Sequence, residues 1–327
     1  MIDEGRVYTR GNSFRARAEA DQRRFRAHVL KIESGKYGHW LTEEDGNRGM
    51  NFYGDVFDAM LTRFAQGKAG DITRAKTNML ASQAMCFNIF ANLQDKEGLA
   101  VATIALRKLV PTIRAVRRIH LEYTPPNEVL GDQSGLGGVD CDVLVEYDCA
   151  SGSGLLAIET KFVEEEFSTC KFRQRAAKGG HRLDVCQPGT CPRPEFVGCL
   201  YHAKKGYRYW QRSLECRTLK QAVLRGERPC PFSDGQWQLW VNHTLVHTEA
   251  KRRGATEAIF AVCAPGGNAE LLKAGKTIDG FRAVLNKPST MRLITLEKLF
   301  NALDDACKQF PQRRVWVAYL KLRYGVN

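Results

Sequence analysis

VDCDVLVEY, residues Val139 to Tyr147, followed after a Ser/Gly turn by LLAIETKF, residues Leu155 to Phe162, is the stretch whose reading decides the fold. Side chains alternate along an extended chain, so Glu159 and Lys161 leave one face of the second strand while Ile158, Thr160 and Phe162 leave the other. If the two strands pair through the turn at Ala150 to Gly154, Asp142 reaches the same edge and a D…ExK cluster forms. Two carboxylates beside one ammonium suit a hard divalent cation such as Mg²⁺, which takes oxygen ligands. Such a cation held against a phosphate oxygen offsets its charge and activates water, and Lys161 is placed to orient that water and stabilise developing negative charge. The bland alternative is a surface hairpin with an ordinary Glu–Lys pair. The flanks oppose it: Val143, Leu144 and Val145, and Leu155, Leu156 and Ile158, are apolar on both faces and read as interior strands. Interior charges require partners or a metal. Asp140 shares a strand face with Asp142 and is the other candidate for the first acid.

The chain has 327 residues, 43% hydrophobic and 9% aromatic, the balance of a soluble globular protein rather than a disordered one. Its 49 Lys and Arg against 36 Asp and Glu give a formal charge of +13, which favours an anionic partner, nucleic acid being the commonest. The excess is local, because ten of those net charges fall between Lys171 and Cys230. Rings are interleaved with cations in YHAKKGYRYWQR, Tyr201 to Arg212, so Lys171, Arg173, Arg175, Lys204, Lys205, Arg208 and Arg212 are candidate phosphate contacts. An amphipathic helix whose Tyr and Trp face the core is the competing reading. Met1 to Arg17 lacks the apolar core of a targeting signal and no run approaches the length of a membrane span, so a cytoplasmic protein is expected.

Periodicity and caps predict helices over residues 14–30, 72–93, 98–118 (with Pro111 starting or kinking it), 236–251, 296–308 and 316–324. Strands are predicted at 119–123, 141–147, 155–162, 258–263 and 291–295. Residues 1–96 then form a helical layer packed on a core of residues 97–327, which carries a basic, Cys-rich insertion at about 166–234.

The D…ExK strands resemble the PD-(D/E)xK nuclease superfamily. Further segments resemble a bacterial group of restriction-endonuclease-like proteins within it: ASQAMCFNIFANL (Ala81 to Leu93), HLEYTP (His120 to Pro125), IETKFVE (Ile158 to Glu164), WQLWVNHTL (Trp237 to Leu245) and FAVCAPGGN (Phe260 to Asn268). The resemblance spans roughly residues 80–305. It implies an α/β fold with the restriction-endonuclease-like core, a mixed central sheet flanked by helices in the order α-β-β-β-α-β. It implies a metal-dependent deoxyribonuclease using Mg²⁺, for which Mn²⁺ substitutes, with Asp142, Glu159 and Lys161 as the catalytic triad and a role in defence against foreign DNA. It selects Asp142 over Asp140, leaving Asp140 to support a second metal or to end the strand, and makes Glu122 a candidate third metal ligand. Departures are Gly138 and Val139, where the family carries an Arg/Thr pair, and the unmatched stretch from Cys170 to Cys199. DNA is the expected partner, RNA stays open, and a homodimer would bring two sites to two strands.

Cys186 and Cys191 flank a Gln-Pro-Gly-Thr turn, and Cys199 with His202 gives a C-x₂-H pair, a set able to hold Zn²⁺. By the resemblance, Cys170, Cys186, Cys191 and Cys199 would supply an iron–sulfur cluster instead. Free thiols are the leading reading of the 11 Cys. Gln83 and Asn88 read as satisfied buried amides and His243 as a structural helical histidine. A non-catalytic nucleic-acid-binding protein is the alternative function and a structural or assembly protein a third; the last predicts no salt-dependent DNA affinity.

Overall fold

The computed structural model describes residues 2–67, 70–132, 139–172, 198–225, 230–232 and 235–325. Five apolar runs form one sheet: β1 (Ala115–Tyr123), β2 (Cys141–Cys149), β3 (Gly152–Thr160), β4 (Glu257–Ala264) and β5 (Met291–Thr295). They lie in the order β1-β2-β3-β4-β5, with β1–β2 and β2–β3 antiparallel and β3–β4 and β4–β5 parallel. The β2–β3 turn is tight: Cys149 pairs with Gly152, whose φ of 134° excludes a side chain without strain.

Strand alternation splits the core in two, as a sheet covered on both sides requires. Val143, Val145, Leu156, Ile158 and Ala261 face one layer, built from α2 (Val56–Ala65), α3 (Ser82–Phe90), α4 (Lys96–Leu109), α7 (Leu296–Ala306) and α8 (Arg314–Tyr324). Helix α1 (Phe14–Arg24) packs at the edge of that layer against α8. Leu144, Leu155, Ala157, Phe260 and Val262 face the other layer, dominated by α5 (Trp237–Arg253) with α6 (Lys276–Val284) beside it. The N-terminal helices share their apolar cluster with the sheet, since Met60, Met85 and Phe87 belong with Val143 and Ile158. Among the described residues, no helix is long and apolar enough to cross a membrane.

Two helical expectations are corrected by local chemistry. The predicted helix over 98–118 ends at Leu109, because the residue before a proline is pushed out of the helical region; Val110 is at φ −131°, ψ 87°, and the chain is in β1 by Ala115. The predicted helix over 72–93 is broken into Ile72–Thr77, α3 and a 3₁₀ turn at Ala91–Leu93. Asn78 causes the break, its Oδ1 accepting the Leu80 N–H at 2.9 Å and drawing the backbone into an extended conformation. The helix predicted over 14–30 stays α-helical to Arg24 and finishes as a π-helix over Phe25–Leu30.

Candidate active site

The β2–β3 ladder is regular as far as the Val143–Ile158 pair. Beyond it, the Asp142 side chain takes over the backbone's role: its Oδ2 accepts the Thr160 N–H at 2.6 Å and the Thr160 hydroxyl at 2.6 Å. Alternation explains the geometry, because the next amide, that of Lys161, points the other way and donates to the Cys263 carbonyl on β4 at 2.8 Å. Asp142 Oδ1 accepts no hydrogen bond among the described residues. The strand exit is pinned by Asn268, whose Nδ2 donates to the Phe162 carbonyl at 3.1 Å and the Glu164 carbonyl at 2.9 Å.

Glu159 and Lys161 leave β3 toward the α5 layer, continuing the face of Leu155 and Ala157. Lys161 Nζ donates to Glu159 Oε1 at 2.7 Å, and both side chains are buried. Two α5 amides, four residues apart and so on one helix face, complete the shell. Gln238 Nε2 donates to Glu159 Oε1 at 2.7 Å and Asn242 Nδ2 to Oε2 at 2.7 Å. A carboxylate offers about four lone-pair sites. Three are engaged, which leaves one on Oε2.

Two more carboxylates join from the β1 side. Glu122, 4% exposed, is the penultimate residue of β1 and left-handed (φ 49°), and its Oε1 has no hydrogen-bond partner while Gln83 supports the carboxyl. Burial pushes Glu122 up to about 7 despite the Gln83 hydrogen bond, with Asp140 and Glu159 adding to the shift. Asp140, half-buried just before β2, is pushed up to about 6, by burial first and then by Glu159. Asp142 lies well above the usual carboxylate range, driven by burial and then by Glu159 and Glu122. Burial alone would depress Lys161, but the facing Glu159, Glu164 and Asp142 outweigh it and hold the ammonium above its ordinary value. The site is thus short of positive charge.

Asp142, Glu159, Lys161, Glu122 and Asp140, all named from sequence, share this electrostatic cluster. Thr160, Gln238, Asn242 and the Gln83–Glu122 contact were not anticipated; the available signal was Gln and Asn at i and i+4 in WQLWVN, two amides on a largely apolar helix. Asn88 is the satisfied amide expected of it, accepting from the Tyr53 amide at 2.8 Å and donating to the Asn51 carbonyl and the Tyr324 hydroxyl, each at 3.0 Å. His243 is structural, buried against His247 and Phe281 and bonded to Thr290 at 2.9 Å.

The basic segment divides. Arg173, Arg175, Cys186 and Cys191 lie outside the described residues, so the Zn²⁺ and iron–sulfur expectations rest in part on residues without a described position. Cys170 is buried in the α5-side core, with Cys199 packed against it. Of the two readings of the run from Tyr201 to Trp210, the structure has the one in which the rings face the core. Tyr201, Tyr207, Tyr209 and Trp210 are buried among one another and the α5 tryptophans, Tyr201 stacking on Tyr207 at 5.5 Å and on Trp237 at 5.7 Å. Arg212 is tied to the Val129 and Glu128 carbonyls at 2.8 and 3.0 Å, which makes it a structural clamp. Lys171, Lys204, Lys205 and Arg208 remain exposed cations. Among the described residues, no three His, Cys, Asp or Glu side chains close around a point as a metal cage.

A model of the PD-(D/E)XK nuclease superfamily matches residues 9–190 and 226–325, most of the chain. The chain belongs to the PD-(D/E)XK nuclease superfamily. No curated protein and no solved structure matches it. PD-(D/E)XK nucleases typically use divalent metals such as Mg²⁺, and nucleic acid is the substrate class the superfamily implies. The mixed five-stranded sheet with flanking helices is consistent with the PD-(D/E)XK α/β fold, as the sequence led us to expect. Asp142, Glu159 and Lys161, the residues expected at D, E and K, are joined to β3 and α5 through Thr160, Gln238 and Asn242.

Proposed function

We propose that this protein is a Mg²⁺-dependent endonuclease acting on DNA, with Asp142 and Glu159 holding the metal and Lys161 positioning the attacking water. The observation that carries the reading is the imbalance of charge: four carboxyl groups (Glu122, Asp140, Asp142, Glu159) act on one another against the two cations Lys161 and Arg63, and three of them are pushed above their ordinary pKa. Gathering like charges is unfavourable unless protons or a cation relieve it. The donor set fits a hard cation, because Asp142 Oδ1 and one lone pair of Glu159 Oε2 are open and Glu122 Oε1 is an orphaned buried oxygen. All are carboxylate oxygens, the ligand type that Mg²⁺ and Mn²⁺ prefer.

A divalent cation, once bound, supplies charge neutralisation at the phosphate and makes its water more acidic. The chain's own residues do the rest. Thr160 fixes the Asp142 carboxylate through two hydrogen bonds to Oδ2 and leaves Oδ1 for a cation. Gln238 and Asn242 fix Glu159 from α5. Lys161, kept protonated by its carboxylate neighbours, donates to Glu159 and presents its remaining N–H groups to the attacking water or the phosphate oxygen. Glu122 and Asp140 are proposed as further metal ligands from the β1 side. Defence against foreign DNA follows from the resemblance to restriction-endonuclease-like proteins, and the exposed cations Lys171, Lys204, Lys205 and Arg208 are proposed to meet the DNA backbone.

Supercoiled and linear DNA incubated with the protein and Mg²⁺ or Mn²⁺ tests this directly. Glu159→Ala and Lys161→Ala are expected to lower cleavage by about two or more orders of magnitude while DNA binding persists. Cleavage that survives both substitutions would overturn the assignment.

A further inference from the structure

The arm that precedes α1 belongs to no helix or strand over residues 3–8, yet its backbone is held from beneath by charged side chains. Glu19, 1% exposed, accepts the Tyr8 N–H at 2.5 Å and the Thr9 N–H at 2.7 Å. Arg23 donates to the Glu4 and Gly5 carbonyls at 3.1 and 2.8 Å, and the buried Arg26 donates to the Asp3 and Gly38 carbonyls at 2.6 and 2.7 Å. Gly38 permits the close approach, since a Cβ there would collide with the Glu4 carbonyl oxygen. Burying charge is unfavourable unless it is hydrogen-bonded, and here the bonds go to main chain rather than to opposite charges. The result is a surface arm with a fixed backbone, which loses little freedom on binding a partner.

The side chains it presents are cationic. Arg6, Arg10 and Lys36 are exposed, and Tyr8 is 54% exposed among them. Tyr8 meets Tyr37 edge-on at 4.7 Å; Arg15 lies over the Tyr8 ring at 5.8 Å, and Arg6 and Lys36 over the Tyr37 ring at 5.4 and 5.6 Å. A ring face steadies a cation without neutralising it. The acids of the same stretch are engaged elsewhere: Glu19 by the arm's amides, Glu4 by Arg23, Asp21 by Arg24, and Asp3 and Glu33 act on the buried Arg26. Arg6, Arg10, Arg15 and Lys36 therefore form no ion pair among the described residues and keep their charge for an anionic partner. The arm also runs into the active-site end of the sheet. Phe14, the first residue of α1, packs edge-on against Phe162, the residue after Lys161, at 6.4 Å, and its N–H donates to Glu270 Oε1 at 3.2 Å, two residues beyond the Asn268 that pins the strand exit.

We infer that this pinned arm, with Arg6, Arg10, Arg15 and Lys36, is a second docking surface for the phosphate backbone of DNA, gripping the substrate to one side of the bond that is cleaved. The inference rests on the nuclease reading above for the identity of the polyanion, but its test does not depend on turnover. Binding of a labelled DNA duplex is followed by fluorescence anisotropy, without divalent metal, as salt is raised. Each phosphate contact contributes about one to the slope of log affinity against log salt, so Arg6→Ala/Arg10→Ala is expected to make that slope shallower by about two and to weaken binding roughly tenfold or more at about 100 mM salt. Neither side chain donates a hydrogen bond among the described residues, so the melting temperature is expected to hold; Arg10→Ala/Lys36→Ala makes the same measurement if it does not. Lys220→Ala/Lys287→Ala removes the same charge from exposed positions beside Val284, on the α5 side of the sheet, and is expected to leave the slope unchanged. An arm variant whose slope and affinity match the wild type, as they would if the arm took an acidic protein segment instead, overturns the inference, and so does an equal loss in the Lys220→Ala/Lys287→Ala control. Wild-type protein whose arm-dependent DNA binding is seen, yet which cleaves no DNA with Mg²⁺ or Mn²⁺, would sink the nuclease reading and leave the arm assignment standing.

Discussion

Asn242→Ala separates a residue that holds Glu159 from one that merely fills α5. Asn242 is buried, and its Nδ2 provides the only hydrogen bond to Glu159 Oε2 among the described residues, at 2.7 Å. A hydrogen bond to a charged acceptor contributes about 1.5–3 kcal/mol. Alanine returns about 0.5 kcal/mol through its higher helix propensity at a mid-helix position. The expected net loss is therefore about 1–2.5 kcal/mol, a fall of a few degrees in melting temperature for a chain of this size. The functional effect should exceed that. With Oε2 released, Glu159 keeps only its Lys161 and Gln238 partners, both on Oε1, and can rotate about that oxygen. Loss of such an outer partner typically lowers metal affinity or activity by about 10- to 100-fold. The assay is cleavage rate against Mg²⁺ concentration, with melting measured on the same preparation. The expected signature is a half-saturating Mg²⁺ concentration raised about tenfold or more, with DNA affinity at low salt unchanged. Asn242→Asp should be worse, since it sets a second carboxylate against Glu159. An Asn242→Ala enzyme with wild-type metal dependence and wild-type rate would refute the claim that α5 positions the metal-binding carboxylate.

Thr160→Val keeps the side-chain shape but removes one of two donors to Asp142 Oδ2; a half-saturating Mg²⁺ concentration raised roughly tenfold in the same titration is expected. Lys161→Ala leaves Glu159 buried without its ion-pair partner, and breaking such a pair costs about 3–5 kcal/mol; because Gln238 and Asn242 remain, the lower end is expected from urea unfolding. His247, on α5 beside His243, is held neutral by burial and then by Lys287, its pKa falling from 6.5 to about 4. Below pH 6.5 the unfolded chain takes up a proton that the folded chain refuses, so stability is complete above that pH and falls between pH 6.5 and about 4, by roughly 3 kcal/mol for this group. Urea midpoints at pH 7.5 and 5.0 check it, and His247→Leu should flatten the difference.

The sheet was legible because its strands carry their own signal. Val143, Leu144 and Val145, and Leu155, Leu156 and Ile158, are apolar on both faces, and a sheet covered by helices on two sides is what such strands require. Helix boundaries were less legible where a single side chain decided them. Asn78 breaks a helix through a hydrogen bond only two residues away, and Val110 leaves one because Pro111 follows. At the site, Asp142, Glu159 and Lys161 are close in the chain and their pairing follows from one hairpin. Gln238 and Asn242 lie about 80 residues beyond Glu159, and only the packing of α5 across β3 brings them there. The aromatic run from Tyr201 left two readings open for a related reason. Rings between lysines suit a nucleic-acid surface and a buried cluster equally well, and the choice depends on the distant Trp237 and Trp240, against which those rings pack.

The same packing accounts for how a site so rich in carboxyl groups persists within a stable fold. Glu159 is the most thoroughly bonded member of the cluster, with three donors from two elements, and Asp142 takes two from Thr160. Neither depends on a cation to be held in place. Glu122 and Asp140 are less well supplied, and burial pushes them up to about 7 and about 6. Near neutral pH, protons on these two, and on Asp142, which burial and then Glu159 and Glu122 hold well above the usual carboxylate range, therefore relieve part of the repulsion that a cation would otherwise relieve. Cation binding must then displace protons from the raised carboxyls while using the Glu159 oxygens already held on the β3 side. Metal affinity should accordingly rise with pH through the 6–7 range, and Glu122→Gln, which removes one of those protons from the exchange, should make that rise shallower.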